Sequence, residues 1–297
     1  MKPIETHDHD FAAIKAQTLI ESLPWLQTFH GKVVVVKFGG NAMVDEALAE
    51  AFAQDMAYLR WVGIKPVVVH GGGPQISAKL KELGIESEFR GGFRVTTDKT
   101  IGVVRDVLRD QISESLAAQI RHAGAGARVM SGEDGNLFRA VKTTIEQDGE
   151  TIDIGLVGEV NLVNPRIVFD ALEQGDIPVI STVAPDAQGN LLNVNADLAA
   201  AALAVALGAE KLMVLTDVAG LYSDWPNTDS LVSEITTAEL ETMLPTLEAG
   251  MIPKMQACLT AVGGGVPRAH IIDGRTPHSI LLEIFTKNGF GTMVLPS

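Results

Sequence analysis

VVVVKFGGNAM, residues Val33–Met43, runs four valines into a lysine and then into a glycine pair. A continuous run of β-branched residues suits a strand covered on both faces, the habit of parallel sheets. The valines do not account for Lys37. A charge placed where a buried strand opens into glycine is either a solvated strand end or is aimed at an anion held over backbone N–H groups. VVVHGGGPQIS (Val67–Ser77) repeats the pattern, with a buried strand, three glycines and a helix opened by Pro74. Glycine lets backbone approach a ligand closely, and a helix start offers unpaired N–H groups and a partial positive charge. One such loop reads as a tight turn. Two of them after valine strands favour a phosphate or carboxylate site at the carboxyl ends of an open α/β sheet.

Working outward, similar apolar runs recur at Val129–Met130, Ile177–Ile180, Leu212–Leu215, His270–Ile272 and Thr292–Leu295. Helical stretches alternate with them at Asp45–Val62, Pro74–Leu83, Asp98–His122, Pro165–Gln174, Ala196–Leu207, Thr237–Glu248, Lys254–Val262 and His278–Thr286. The alternation predicts an α/β layered fold with a mostly parallel central sheet. Leu137–Val163 differs: strand formers flank Asp148-Gly149, the signature of a β-hairpin excursion. No repeat or obvious linker interrupts the chain, and its 297 residues suit one large or two modest domains.

Composition excludes several function classes. Lys plus Arg is 23 against 37 Asp plus Glu, a net charge of −14, which argues against nucleic acid or an anionic membrane surface as partner. An anionic substrate would then need positive charge gathered locally. Cys258 is the one cysteine, which excludes an internal disulfide and any multi-cysteine metal site and fits a reducing cytoplasm. MKPIETHDHDF is acidic and lacks the apolar core of a signal peptide. His7 and His9 with Asp8 and Asp10 invite a metal reading, but a solvated acidic terminus explains them better. The apolar run Leu198–Ala209 is too short to span a bilayer.

The Walker A pattern is absent, since Gly31-Lys32 is followed by Val33, and GxGxxG fails at Ile76. P-loop and dinucleotide-oxidoreductase readings weaken accordingly. A third stretch, Asn193–Tyr222, leads three polar residues into an alanine-rich helix and then a strand ending at Thr216-Asp217. A fourth, AGMIPKMQA, places Lys254 near a helix start. KFGGNAM, VVVHGGGPQIS, GGFRVTT, NVNAD, LTDVAGLY, GMIPK, HIIDGR, LLEIFT and GFGTMV together resemble the amino acid kinase family, and within it the branch that phosphorylates N-acetyl-L-glutamate. Each motif alone is weak; their joint order from Lys37 to Val294 is specific.

The resemblance implies transfer of the ATP γ-phosphoryl group to the γ-carboxylate of N-acetyl-L-glutamate, in arginine biosynthesis. The fold it implies is one domain over residues 1–297, a three-layer αβα sandwich in which about residues 31–180 would hold the acyl substrate and about 181–297 would hold ATP. A carboxylate nucleophile titrates near ~4 and is already ionised at neutral pH, so no general base is needed. Catalysis then rests on positioning and fixed positive charge. Lys37, above Gly39 and Gly40, and Lys254 would contact the phosphoryl oxygens in transit, and Asp197 would orient both. Gly72 and Gly73 would offer N–H groups to the acyl substrate, Arg94 would fork its α-carboxylate, and Asn193 and Asn195 would meet its acetamido group and carboxylate. Asp217, Gly220, Leu221 and Tyr222 would line the nucleotide. Mg²⁺ would arrive on the ATP phosphates, without a dedicated protein cage.

Ahead of the first strand, Ala12, Ala16, Leu19, Leu23 and Leu26 form a heptad-like stripe on a helix that Pro24 should kink or end. The resemblance to the arginine-inhibited members implies that residues 1–30 interlace dimers into a homohexamer, a trimer of dimers, and that Glu283 and Gly289 contact inhibitory L-arginine. Against that reading stand a helix-surface acid and a helix-terminating glycine. A sibling kinase acting on aspartate, glutamate, carbamate or UMP remains open at this level. So does an amino-acid sensor without catalysis, though Lys37, Asp197 and Lys254 together speak against it.

Overall fold

The computed structural model describes residues 6–147, 150–286 and 289–297. The expected Asp148-Gly149 turn lies outside the described residues, as do the side chains of His7, Asp8, His9 and Asp10. The strands used below are β1 Val33–Phe38, β2 Lys65–His70, β3 Ala127–Ser131, β4 Phe138–Gln147, β5 Glu150–Val163, β6 Ile177–Ser181, β7 Val183–Pro185, β8 Leu191–Val194, β9 Lys211–Thr216, β10 Glu234–Thr236, β11 Ala269–Asp273 and β12 Gly291–Leu295. The helices are α1 Thr6–Phe29, α2 Glu46–Trp61, α3 Gly73–Glu82, α4 Ile101–Asp106, α5 Glu114–His122, α6 Arg166–Glu173, α7 Ala196–Ala206, α8 Thr237–Met243, α9 Ile252–Gly263 and α10 Ser279–Phe285.

Eight strands form the central sheet in the order β10-β12-β11-β9-β1-β2-β6-β3. Every pairing is parallel except β11 with β12. β1 lies at the middle, and successive side chains of a strand point to opposite faces. Val34, Val36 and Phe38 therefore enter one core with Phe52 and Met56 of α2, Ile120 of α5 and Ile284 of α10. Val35 enters the other, with Val168 of α6, Leu203 of α7 and Met255 of α9. Two cores on the two faces of one sheet make the αβα sandwich. The valine run is all-apolar because neither face meets water.

The hairpin excursion is β4 against β5, antiparallel, and it is extended by β8 and β7 into a second four-stranded sheet. β7, β8 and β10 escape the sequence reading because three or four residues are too few to establish a period. The expected Asp98–His122 helix begins at Ile101 and contains a π-helical segment, Val107–Ser113, between α4 and α5. The expected Thr237–Glu248 helix stops at Met243, two residues before Pro245, whose missing N–H and ring break the ladder.

Pro24, expected to kink or end α1, does not end it: the helix runs through it to Phe29. Phe29 is buried at 1 % exposure and packs with Val34, Val36 and Ile284, which holds the last turn in place despite the lost hydrogen bond. Only the earlier part of α1 stands clear of the sheet, with Ile14, Leu19, Ile20 and Leu23 exposed. Phe29→Ala is expected to lower stability by about 3–5 kcal/mol, as emptying a core phenylalanine site does. Gln17→Ala, on the exposed part of the helix, should stay within about 0.5 kcal/mol of the parent. Urea unfolding of both variants measures this, and equal effects would return the whole helix to the surface.

Candidate active site

At the carboxyl end of β1, Lys37 sits on the α7 side of the sheet. Its Nζ lies 2.9 Å from Oδ1 of Asp197, and Lys254 Nζ on α9 lies 3.1 Å from Oδ2 of the same carboxylate. Asp197 is the second residue of α7, whose N-cap is Asn195: the Asn195 Oδ1 accepts from Asp197 N at 2.8 Å and Leu198 N at 3.2 Å. Lys37 and Asp197 are both buried, and Lys254 is partly exposed. Burial pushes the Lys37 pKa down, against the attraction of Asp197, while Lys254 adds to the depression. Burial also pushes Asp197 up, but Lys37 and Lys254 outweigh it and hold the carboxyl below its ordinary range. Two ammonium groups on one carboxylate leave a net positive charge facing the cleft. A Cβ on Gly39 would come within 2.6 Å of Lys37 Nζ, so only glycine leaves the lysine room to fold back over the loop.

Beside this triad lies a cavity of about 190 Å³ whose wall includes Lys37, Gly73, Arg94, Asn193 and Asp197. The start of α3 leaves the N–H groups of Gly72 and Gly73 without partners inside the helix. Gly73 borders open space. Gly72 is glycine for a different reason: a Cβ there would meet Ile112 Cδ1 at 2.5 Å and Leu108 Cδ2 at 2.7 Å, both from the π segment. Arg94 donates to Ser87 Oγ at 2.7 Å, Gly73 O at 2.9 Å and Ser77 Oγ at 2.7 Å, and its guanidinium lies over the Phe89 ring. Among the described residues no carboxylate pairs with it, so a nearly buried guanidinium faces the cavity held by neutral groups alone. Burial pushes its pKa down. Asn193 donates to Thr96 Oγ1 at 3.1 Å. Asn195 spends its carbonyl on the cap, so only its amide nitrogen is left for a ligand.

The residues expected at the nucleotide divide in two. Asp217 stands over Gly40, where φ is +74° and a Cβ would meet the Asp217 Oδ1 at 2.6 Å. Tyr222 lies against Trp225 with ring centroids 5.1 Å apart, and together with Leu247 and Met251 they border an apolar cavity of about 70 Å³. Gly220 and Leu221 serve packing first. Leu221 N donates to Thr292 Oγ1 at 2.8 Å, and a Cβ on Gly220 would strike that oxygen at 2.6 Å.

Sequence reading missed His70 and the π segment behind it. Ser113 Oγ lies 3.0 Å from Leu108 O, five residues back, and 2.6 Å from His70 Nε2, while His70 Nδ1 lies 2.9 Å from Gly71 O. Burial pushes the His70 pKa down to about 4, so the ring is neutral and braces the glycine loop rather than carrying charge. No local signal in the sequence marks a π turn.

The model of the amino acid kinase family matches residues 32–273. The chain belongs to the amino acid kinase family. An acetylglutamate kinase of Saccharopolyspora erythraea is 61% identical over 286 residues, covering 96% of this chain and 94% of the relative. One of Leifsonia xyli subsp. xyli is 60% identical over 294 residues, covering 98% and 97%. Among solved structures, N-acetylglutamate synthase from Neisseria gonorrhoeae complexed with coenzyme A and N-acetyl-glutamate has a TM-score of 0.83 at 23% identity; the match covers 95% of this chain and spans 63% of that one. Carbamate kinase from Giardia lamblia bound to AMP-PNP has a TM-score of 0.65 at 17% identity, covering 90% and 99%. These two likenesses speak to the fold.

A second charged cluster of this kinase lies between α1, α10 and the far end of the sheet. Glu283 is buried, not a helix-surface acid. Its Oε1 lies 3.2 Å from Lys211 Nζ and 2.5 Å from His270 Nδ1, and its Oε2 accepts from Phe290 N at 2.6 Å. Gly289, with φ +63°, lies beside that carboxylate. They border a cavity of about 210 Å³ that Trp25 and Phe29 of α1 also line. Burial pushes Glu283 up, but His270, Lys211 and the Phe290 N–H pull it to about 2, while burial drives His270 down to about 4. A carboxyl depressed in the folded state adds stability above its unfolded pKa of ~4.3, and that stability is lost as pH falls through the folded value. Glu283→Gln is therefore expected to be less stable than the parent at neutral pH, with the gap closing from about pH 4.5 toward pH 2. Urea midpoints across that range measure it; a gap that is constant with pH would mean Glu283 contributes through shape alone.

Proposed function

We propose that this chain transfers the γ-phosphoryl group of ATP to the γ-carboxylate of N-acetyl-L-glutamate, giving ADP and N-acetyl-L-glutamyl 5-phosphate, the second step of arginine biosynthesis. The observation that carries the reading is the convergence of Lys37 and Lys254 on Asp197 at the edge of a cavity bordered by Arg94. A dicarboxylate in that cavity would place one carboxylate on the Arg94 fork and leave the other near the two ammonium groups. The attacking carboxylate needs no base. The work left to the protein is to bring two anions together and to neutralise the charge that develops between them. Gly39, Gly40 and Gly73 keep side chains out of that path. The nucleotide would run from the Gly40 loop past Asp217 toward the Tyr222–Trp225 pocket, with Mg²⁺ carried on its phosphates. The chain then works as one kinase domain, about 31–180 serving the acyl substrate and about 181–297 the nucleotide, in the cytoplasm. Identity near 60% to acetylglutamate kinases over nearly the full length supports this substrate over those of sibling kinases.

Purified protein should form ADP with N-acetyl-L-glutamate and not with free glutamate, aspartate or carbamate. Lys37→Ala and Lys254→Ala should each lower kcat by about 10²–10³ with a smaller change in KM, because the charge matters most in the transition state. A variant with the parent's kcat would remove that lysine from the mechanism.

The Glu283 pocket supports a second, regulatory reading: L-arginine binds there and inhibits. A buried carboxylate suits a guanidinium, and Trp25 of α1 brings the N-terminal helix to the same pocket. The exposed Leu19, Ile20 and Leu23 offer a surface through which dimers could interlace into a hexamer. Arginine can inhibit by binding one arrangement of the ring better than another. Deleting residues 1–22, which spares Trp25 and Phe29, should reduce the sedimenting species from hexamer to dimer and weaken inhibition. An unchanged hexamer with unchanged inhibition would sink this reading.

A further inference from the structure

The motif HIIDGR ends β11, and its last residue has no part in the site described so far. β11 runs beside β9 with Asp273 opposite Thr216, so the two strand ends carry Asp217 and Arg275 out of the sheet as neighbours. Gly274 N donates to Thr216 O at 2.8 Å. A Cβ on Gly274 would touch Leu215 Cβ at 3.3 Å and Ala42 Cβ at 3.4 Å, so this turn is packed onto the loop that follows Lys37. Arg275 is itself fixed. Its Nε donates to Asp273 Oδ1 at 2.9 Å, its Nη2 to Oδ2 at 2.7 Å, and its backbone N–H to Oδ1 at 2.9 Å. The side chain remains half exposed at the open end of the strands, within electrostatic reach of Asp217 and Tyr222.

Asp217 poses a problem for the nucleotide path. Its carboxylate stands over Gly40, where the proposed function lays the phosphates, and a carboxylate beside a triphosphate repels it. Lys37 and Arg275 both act on Asp217. We propose that Arg275 is a nucleotide-positioning residue: its guanidinium, held in place by Asp273, offsets the Asp217 carboxylate and lets a nucleoside triphosphate lie along the Gly40 loop. The rigid fork explains why an arginine serves. A planar guanidinium bound at two points keeps its charge in one place, and a lysine there would still supply the charge, only less firmly placed. This inference rests on the nucleotide half of the function proposed above.

Steady-state kinetics on Arg275→Gln, Arg275→Lys, Asp217→Asn and the Arg275→Gln/Asp217→Asn pair test it, at low and high ionic strength, with melting curves for each protein. Arg275→Gln should raise KM for ATP by about tenfold at low salt, with KM for N-acetyl-L-glutamate nearly unchanged. Added salt should narrow that gap, because screening relieves the repulsion that the lost charge exposes. Arg275→Lys keeps the charge and should stay within about threefold of the parent. In the Asp217→Asn background Arg275→Gln should add little, since the charge it offsets is gone. The inference is overturned by an unchanged KM for ATP in Arg275→Gln, by equal rises in both KM values, or by a full effect in the Asp217→Asn background. If Arg275→Gln does not fold, Arg275→Lys decides: a tenfold higher KM despite the retained charge overturns the inference. A parent protein that consumes no ATP with any acceptor would instead overturn the underlying function.

Discussion

Burying Lys37 beside Asp197 is the constraint on which the rest of this molecule depends. Neither charge could be taken out of water alone, and a pair left half-matched would cost several kcal/mol. Asp197 solves this by meeting Lys37 on one oxygen and Lys254 on the other. The three groups come from β1, α7 and α9, so the ion triad ties the central strand to two helices of one face. The packing of α7 on α9 therefore has an electrostatic requirement as well as an apolar one. Alanine at most buried positions of α7 keeps that helix close enough for its first turn to reach Lys37.

Backbone conformation serves the same end. Gly39 leaves room for the lysine, Gly40 takes a left-handed φ beneath Asp217, and Gly72 accepts the press of Leu108 and Ile112. The π segment is what brings those two side chains there, and its Ser113 hydroxyl braces His70 at the root of the second glycine loop. π turns are rare and concentrate at functional sites. Here the turn fixes the floor of the cavity that Arg94 borders.

The Glu283 cluster follows the same rule at the opposite end of the strand order from β3. A buried carboxylate is matched by Lys211, a neutral-leaning His270 and the Phe290 N–H. Lys211 belongs to β9, which pairs with β1 along Val34–Lys37. The two charged clusters are thus joined through adjacent hydrogen-bonded strands, a rigid path between the Glu283 pocket and the Lys37–Asp197–Lys254 triad.

The strand content of the central sheet was legible in the sequence because strands buried on both faces must be continuous apolar runs, and Val33–Val36 or Leu212–Leu215 admit no amphipathic alternative. Lys37 stood out as a charge to be accounted for because nothing in a buried strand explains it. Arg94, Asp197 and Lys254 were legible only through the joint order of several motifs. What only the tertiary structure decided is which groups meet. Asn195 reads as able to donate and accept toward a ligand until its carbonyl is seen capping α7, which leaves only its amide nitrogen. Glu283 reads equally as an arginine contact or a helix-surface acid, and its burial is decided only when β9 and β11 bring Lys211 and His270 to it. Pro24 reads as a helix end until Phe29 is found anchored in the core. In each case the deciding partner is remote in the sequence or is a backbone group whose availability depends on local geometry. Periodicity and spacing report the burial a segment expects; partners are chosen by the sheet that brings distant segments together.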